Sequence, residues 1–284
     1  ALITGLLGWM AARHGLAPLH AIKREAAAIT ADRLHSRLPT DDIPVELVDL
    51  ADTLNQMLAR LEDSFQRLSD FSSDIAHELR TPVSNLLTQT QVMLSRARSI
   101  DEYQDVLASN AEELERMAKM IADMLFLAKA DNDLVIPHLE DVDLRAEAEG
   151  LASFYEAVAE ESGVSLTVEG NATARGDRLM LRRAMGNLLS NAFGHTPLGG
   201  YVRVRIGIDG DQIATIQVEN SGETIAPEHL PRLFDRFYRT DPSRKRLADG
   251  VGLGLAITRS IIQAHGGSIS VQSTDGVTIF ELQI

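Results

Sequence analysis

Residues Leu61–Leu86, LEDSFQRLSDFSSDIAHELRTPVSNL, set Leu61, Phe65, Leu68, Ser72, Ile75, Leu79, Pro82 and Leu86 at the three- and four-residue steps of a coiled-coil seam. A stripe that narrow needs a partner. After a break near Ser95–Asp101, a second seam runs through Leu107, Leu114, Met117, Ile121, Met124 and Ala128, which predicts a long antiparallel helical hairpin. One hairpin supplies only half of a four-helix core, so the expected solution is a homodimeric four-helix bundle.

Upstream, Leu47, Leu50, Leu54, Met57 and Leu61 form a further seam, and Leu19, Ile22, Ala26 and Ile29 a short one. Between them lies a polar connector with Pro39, Asp41, Asp42 and Pro44, so two short parallel helices joined by an extended segment are predicted. The step from Leu61 to Phe65 is a second consecutive step of four, the signature of a stutter. At the start, Ala1–Ala12 is apolar but shorter than the ~20 residues of a spanning helix, with Arg13, His14, Lys23 and Arg24 following it. We read it as the end of a transmembrane helix with a cytoplasmic flank; a buried core helix or a signal-peptide remnant stays open.

Beyond Asp131-Asn132-Asp133 the texture changes. Alternating stretches at 164–168, 201–208 and 213–218 read as strands, interleaved with helical runs at 144–161, 178–193 and 253–264. Turn signals at Asp209-Gly210-Asp211 and Asp275-Gly276 favour a mixed sheet with hairpins, and the half is read as an α/β sandwich. With 41 acidic against 27 basic residues and a net charge of -14, a broad nucleic-acid-binding face is not expected. The absence of cysteine excludes disulfides, thiolate metal sites and cysteine nucleophiles.

Chemistry concentrates in four places. In FSSDIAHELRTP (Phe71–Pro82), His77 falls between Ile75 and Leu79, pointing away from the seam toward solvent. Pro82 lacks an N–H and crowds the Glu78 carbonyl, so the helix should bend or loosen near the histidine. Glu78 can hold the imidazole in the tautomer with a free nucleophilic nitrogen and take its other proton, and Thr81 shares the face of His77. In NLLSNAFGHTP (Asn187–Pro197), Asn187 and Asn191 stand four apart on one helical face, where two amide oxygens can hold Mg²⁺ directly or through water. ENSGETI (Glu219–Ile225) is a strand-to-turn segment in which Asn220 offers a carbonyl acceptor. DGVGLGL (Asp249–Leu255) spaces Gly250, Gly252 and Gly254 so that backbone can approach phosphate at a helix start. Arg244, Lys245 and Arg246 just upstream suit a mobile basic lid. Taken singly, each has a bland reading: a surface histidine, helix-surface amides, an ordinary NSG turn, a solvated charge run. No Walker loop or dinucleotide fingerprint is present.

The HELRTP string resembles the phosphoacceptor motif of two-component sensor histidine kinases, and the other three segments follow in that family's order as its N box, first glycine box and second glycine box. Phe234–Arg239, FDRFYR, resembles its F box, with Phe234 and Phe237 expected to pack. The resemblance implies that His77 is phosphorylated from ATP, that Glu78 is its base, and that Thr81 positions water in the phosphatase reaction. It implies an ATP and Mg²⁺ site formed by Asn187, Asn191, His195, Asn220, Gly222, Ile225, Arg244, Gly250, Gly252, Leu253 and Gly254, with Mg²⁺ on the two N-box asparagines.

Three departures stand out: Gly194 where the family carries Lys or Arg, Asn220 in place of an acid that accepts the adenine amino hydrogen, and Thr224 in place of a glycine. The implied organisation is the end of a transmembrane helix (1–12), a HAMP-like linker (13–61), a dimerisation and phosphotransfer hairpin (62–132) and a GHKL-type, or Bergerat, ATP-binding domain (133–284). The implied partners are a second copy and a response regulator, at a bacterial inner membrane. The wording FSSDIAHELRTPVSNL and RLFDRFYRTDPSR looks most like copper- or silver-responsive sensor kinases. A GHKL ATPase, or a dimeric nucleotide-binding scaffold without kinase activity, remains the alternative that Gly194 and Asn220 suggest.

Overall fold

The computed structural model describes residues 3, 5, 9, 23–25, 27, 30, 33–40, 45–210, 212–240 and 252–284. Most of 1–12, the short seam from Leu19 to Ile29, the second half of the connector, and the basic run with Arg244 and Gly250 lie outside them. Among the described residues, no helix is long and apolar enough to cross a membrane. The chain divides into two compact units, Ala1–Thr81 and Pro82–Ile284.

In the first unit the connector packs on helix α1, which spans Val45–Leu94 and is helical through Pro82. A single missing N–H removes one rung of the helix and does not end it. Leu34 and Leu38 of the connector are buried, as are Ala51 and Leu58 of α1. The Asn55 side chain mimics a backbone partner: its Oδ1 accepts from Leu38 N–H at 2.8 Å and its Nδ2 donates to Leu38 C=O at 3.0 Å. Arg37 closes the end of this contact on Glu62 at 2.5 Å. The connector therefore occupies one side of α1, while seam residues Leu50, Met57, Leu61 and Phe65 on another side are exposed in the single chain.

The second unit contains the end of α1 and helix α2, Ile100–Ala130, which starts with a capping box between Ser99 and Glu102. Its seam residues Leu107, Leu114 and Ile121 are exposed, whereas Met120, Met124 and Leu127 near its C-terminus are buried. There Asp123 pairs with Arg183, whose guanidinium also lies over the Phe126 ring, 4.6 Å from its centroid.

The α/β part follows as β1 (Glu140–Asp143), α3 (Leu144–Ser162), β2 (Ser165–Gly170), β3 (Thr173–Gly176), α4 (Arg178–His195), β4 (Tyr201–Ile208), β5 (Ala214–Ser221), a short 3-10 turn (Leu230–Arg232), α5 (Gly254–Ala264), β6 (Ser268–Thr274) and β7 (Val277–Gln283). The main sheet is mixed, in the order β2-β4-β5-β7-β6, with only β2 and β4 parallel. A small antiparallel pair, β1 with β3, was not anticipated, because four-residue strands show too little alternation to stand out.

Val202, Val204 and Ile206 of β4, Ile216 and Val218 of β5, and Phe280 and Leu282 of β7 are buried on one face, against which α4 packs its own stripe of Leu181, Ala184, Met185, Leu188, Leu189 and Ala192. The alternate residues carry charge: Glu219 accepts from Arg203 at 3.2 Å and Arg205 at 2.8 Å. The expected hairpin at Asp275-Gly276 is present with both residues at positive φ, +52° and +77°, as a two-residue turn of that twist requires.

Asp177 starts α4. One carboxylate oxygen accepts from Met180 N–H and the other from His138 N–H, and its own N–H donates to His265 Nε2 at 2.9 Å. Burial works against the charged form, but the N–H groups of Met180, His138 and Leu179, with His265, outweigh it and hold the carboxyl below its usual range. Because the folded-state value is depressed, the stabilisation is present above the unfolded value and is lost as pH falls through the folded one. Asp177→Ala is therefore expected to cost about 1–2 kcal/mol in urea unfolding at pH 7, with the gap to wild type narrowing below about pH 4. Equal stability of the two proteins at pH 7 would contradict this.

Candidate functional site

His77 lies on α1 in the first unit with its side chain exposed, Glu78 beside it is partly buried, and Thr81 one turn on is exposed. The exposure of His77 agrees with the expectation that it faces solvent. Pro82 leaves the Glu78 carbonyl without its i+4 N–H donor, which marks a weak rung one residue after His77.

The second unit gathers three of the other segments. The burial of α4's apolar stripe turns Asn187 and Asn191 to an adjacent, partly buried face, and Thr196 ends the helix by donating its hydroxyl back to the Ala192 carbonyl before Pro197. Asn187 Nδ2 donates to the Gly254 carbonyl at 3.0 Å and reaches Thr258 Oγ1 at 3.5 Å. A carbonyl only accepts, so this contact sets which end of the amide is which and leaves Oδ1 as the outward ligand atom. No hydrogen bond to another described residue engages the Asn191 side chain. Two amide oxygens one turn apart fit a hard divalent cation that keeps other ligands from water or phosphate.

Asn220 sits inside β5, opposite Val202 on one side and Thr278 on the other, and it is 4% exposed. Its position continues the buried row of Ile216 and Val218, where an apolar residue would be expected on packing grounds alone. Nδ2 donates to the Ser221 carbonyl, which again reserves Oδ1 as an acceptor. The following turn passes so close to the end of α4 that a Cβ on Gly222 would lie 2.7 Å from the His195 carbonyl oxygen. Gly222 N–H donates to Gly276 C=O, Ile225 N–H to Ser273 Oγ, and Gly276 N–H to Thr224 Oγ1, so the turn is tied to the β6–β7 hairpin. Thr224, where the resemblance leads one to expect glycine, has this structural task.

The third segment enters α5. Gly252 has φ +79°, and a Cβ there would stand 2.9 Å from both the Cα and the carbonyl carbon of Phe237. Phe237 N–H donates to the Gly252 carbonyl at 3.0 Å, with Phe237 itself at φ +59°. Leu253 is buried and offers no side-chain cap, so among the described residues the first N–H groups of α5 are left for another acceptor. Of the two aromatic residues expected to pack, Phe234 does, edge-on to Phe280 at 6.3 Å between centroids, whereas Phe237 is only partly buried and acts through its backbone.

Asn187, Asn191, His195, Asn220, Gly222, Ile225, Gly252, Leu253 and Gly254 are thus borne on segments joined to α4 or to one another by the contacts above. Arg244 and Gly250 lie outside the described residues. Thr258 and Ser273, which hold Asn187 and Ile225, carry no sequence signal that sets them apart from the other hydroxyl residues of α5 and β6. Tyr155 stacks on Phe193 at 4.7 Å, and burial pushes its hydroxyl above the usual tyrosine range against a hydrogen bond with Ser190.

Comparison with known proteins matches residues 10–63 to the HAMP domain, 67–133 to the His Kinase A (phospho-acceptor) domain, and 176–284 to the histidine kinase-, DNA gyrase B- and HSP90-like ATPases. Sensor histidine kinase CusS of Escherichia coli strain K12 is 49% identical over 276 residues, covering 97% of this chain and 57% of that protein. Probable sensor protein PcoS of Escherichia coli is 44% identical over 282 residues, covering 99% and 60%. The chain spans about half the length of the curated relatives it matches. Among solved structures, Acinetobacter baumannii histidine kinase AdeS shares the fold with a TM-score of 0.61 at 22% identity, covering 73% of this chain and 96% of that one.

Gly252→Ala should strain a backbone that glycine alone adopts freely and drive Cβ into Phe237. A cost of about 1–2 kcal/mol at the loop corresponds to about tenfold weaker binding of a fluorescent adenine nucleotide. Wild-type affinity in that variant would show that this approach does not shape the site.

Proposed function

This chain belongs to the two-component sensor histidine kinases, and from that premise we propose that it takes the γ-phosphoryl group of ATP onto His77 and passes it to an aspartate of a response regulator. The observation that carries the proposal is the exposed His77 beside Glu78 on α1, in a chain whose second unit assembles Asn187, Asn191, Asn220 and Gly252 on contacting segments. An imidazole nitrogen of His77 forms the P–N bond as the bond from phosphorus to the ADP oxygen breaks, and Glu78 accepts the proton from the other ring nitrogen. Asn220 Oδ1 accepts from the adenine amino group, while the Gly252–Gly254 backbone and the open N-terminus of α5 receive phosphate oxygens.

Asn187 and Asn191 would hold Mg²⁺, which when bound neutralises triphosphate charge. Thr81, one turn from His77, positions water for dephosphorylation of the regulator. His195, at the close approach to Gly222, and Arg244, in the basic run, complete the nucleotide contacts. We take residues 13–61 as the linker, 62–132 as the dimerisation and phosphotransfer region and 133–284 as the ATP-binding domain.

Partners follow from the same reading. Exposed Leu107, Leu114 and Ile121 on α2 and Leu61 and Phe65 on α1 form the seams that a second copy covers. A transmembrane segment of which residues 1–12 are the end anchors the protein at a bacterial inner membrane, with the remainder of this chain in the cytoplasm. The resemblance of FSSDIAHELRTPVSNL and RLFDRFYRTDPSR to copper- and silver-responsive kinases supports metal-responsive signalling.

Incubation with γ-labelled ATP and Mg²⁺ should yield an acid-labile, alkali-stable label on the protein. His77→Gln should abolish it with nucleotide binding unchanged, whereas Asn191→Ala should weaken nucleotide binding and labelling together. ATP hydrolysis without protein label would favour the plain ATPase instead, and undiminished label in His77→Gln would place the acceptor elsewhere.

A further inference from the structure

Thr258 is fully buried in α5, on an apolar face it shares with Ala256, Ile257, Ile261 and Ile262. Valine would fill the same volume without a hydroxyl to desolvate, so packing alone does not account for a threonine here. Its hydroxyl donates to the Gly254 carbonyl at 2.9 Å, the common back-bond of a helical threonine. That bond consumes its only proton, and its lone pairs remain. Asn187 Nδ2 approaches this oxygen at 3.5 Å while donating to the same Gly254 carbonyl at 3.0 Å. The two acceptors are themselves only 2.9 Å apart, so both lie on one side of the amide nitrogen, the Gly254 carbonyl as the near partner and the Thr258 oxygen as the longer one, and together they draw the NH₂ group toward α5. The amide then has one orientation, with Oδ1 turned away from α5.

We infer that Thr258 is a positioning residue for the cation-bearing asparagine: its hydroxyl oxygen and the Gly254 carbonyl form a two-acceptor cradle that keeps Asn187 Oδ1 presented as a ligand. This rests on the nucleotide and cation reading above and adds a residue to it. The same carbonyl belongs to the first residue of α5, directly after Gly252 and Leu253, so the Asn187 bond to it, which does not need the hydroxyl, holds the asparagine helix to the glycine loop in register. Without the hydroxyl, Nδ2 keeps only the Gly254 carbonyl, and the amide gains freedom to turn about its last torsion.

Three variants of the whole chain test this: Thr258→Val, which keeps the shape, Thr258→Ser, which keeps the hydroxyl, and Asn187→Ala. Two readouts are taken. The first is the side-chain NH₂ pair of Asn187 in the nucleotide-free protein, followed by NMR for chemical shift and solvent exchange. The second is the Mg²⁺ concentration for half-maximal binding of a fluorescent ATP analogue, beside binding of the analogue without metal.

Thr258→Val should shift and speed exchange of the Asn187 NH₂ signals and raise the half-maximal Mg²⁺ concentration about tenfold, as loss of a partner behind a metal ligand does. Metal-free binding should stay as in wild type, and Thr258→Ser should restore both readouts. If Thr258→Val matches wild type in both while Asn187→Ala loses Mg²⁺ dependence, the cradle is overturned and the cation reading stands. If Thr258→Ser behaves like Thr258→Val, shape and not the hydroxyl is responsible, and the inference is again overturned. If wild type binds the analogue with no Mg²⁺ dependence and Asn187→Ala changes nothing, the underlying cation reading falls and takes the cradle with it.

Discussion

The hydrogen bond from Asn187 to the Gly254 carbonyl is the constraint on which the second unit's chemistry depends. It joins the middle of α4 to the first residue of α5, two helices whose apolar stripes would otherwise allow small slides along one another. A slide of one residue would place the wrong carbonyl opposite the amide and move the glycine loop relative to the two asparagines. Apolar packing supplies the adhesion between helices and sheet, and a directional polar contact supplies the register. Such a bond adds only about 1 kcal/mol to stability, so its consequence is geometric before it is energetic.

Around it, close backbone approaches do what side chains cannot. Gly222 lets the turn after β5 meet the end of α4, and Gly252 lets the loop before α5 meet Phe237. Both approaches fall at ends of elements, where backbone N–H and C=O groups are not already consumed by helix or sheet. Asn220 adds a buried acceptor at the end of an apolar row, a local violation of the packing pattern of the kind expected where a strand contributes to a site.

The long elements were legible because they are periodic. The strand at Tyr201–Ile208 and the helix from Arg178 follow directly from alternation and from an apolar stripe begun by Asp177. The site segments stood out by spacing, asparagines four apart and alternating glycines, but each had a bland reading alone, and their reading as one site came from the resemblance of the ordered boxes. What escaped was nonperiodic or carried by the backbone. The β1–β3 pair is too short to alternate visibly, Thr258 is a polar residue among the buried apolar ones of α5, and Phe237 matters through its N–H rather than its ring. The connector's hold on α1 through Asn55 likewise depends on a contact 17 residues away in sequence, which local pattern cannot show. The seams gave the opposite case: their apolar residues are plain in sequence, and their exposure in the single chain is what points to a second copy.

The central claim is that Asn187, Asn191, Asn220 and the Gly252–Gly254 backbone form one nucleotide site. A crystal structure of this chain with a non-hydrolysable ATP analogue and Mg²⁺ tests it most directly. The account predicts the adenine amino group on Asn220 Oδ1, the phosphates at Gly252–Gly254 and the metal on the asparagine face with the Asn187 amide still donating to Gly254. An analogue bound elsewhere, or an Asn187 amide turned with Nδ2 toward the phosphates, would contradict it.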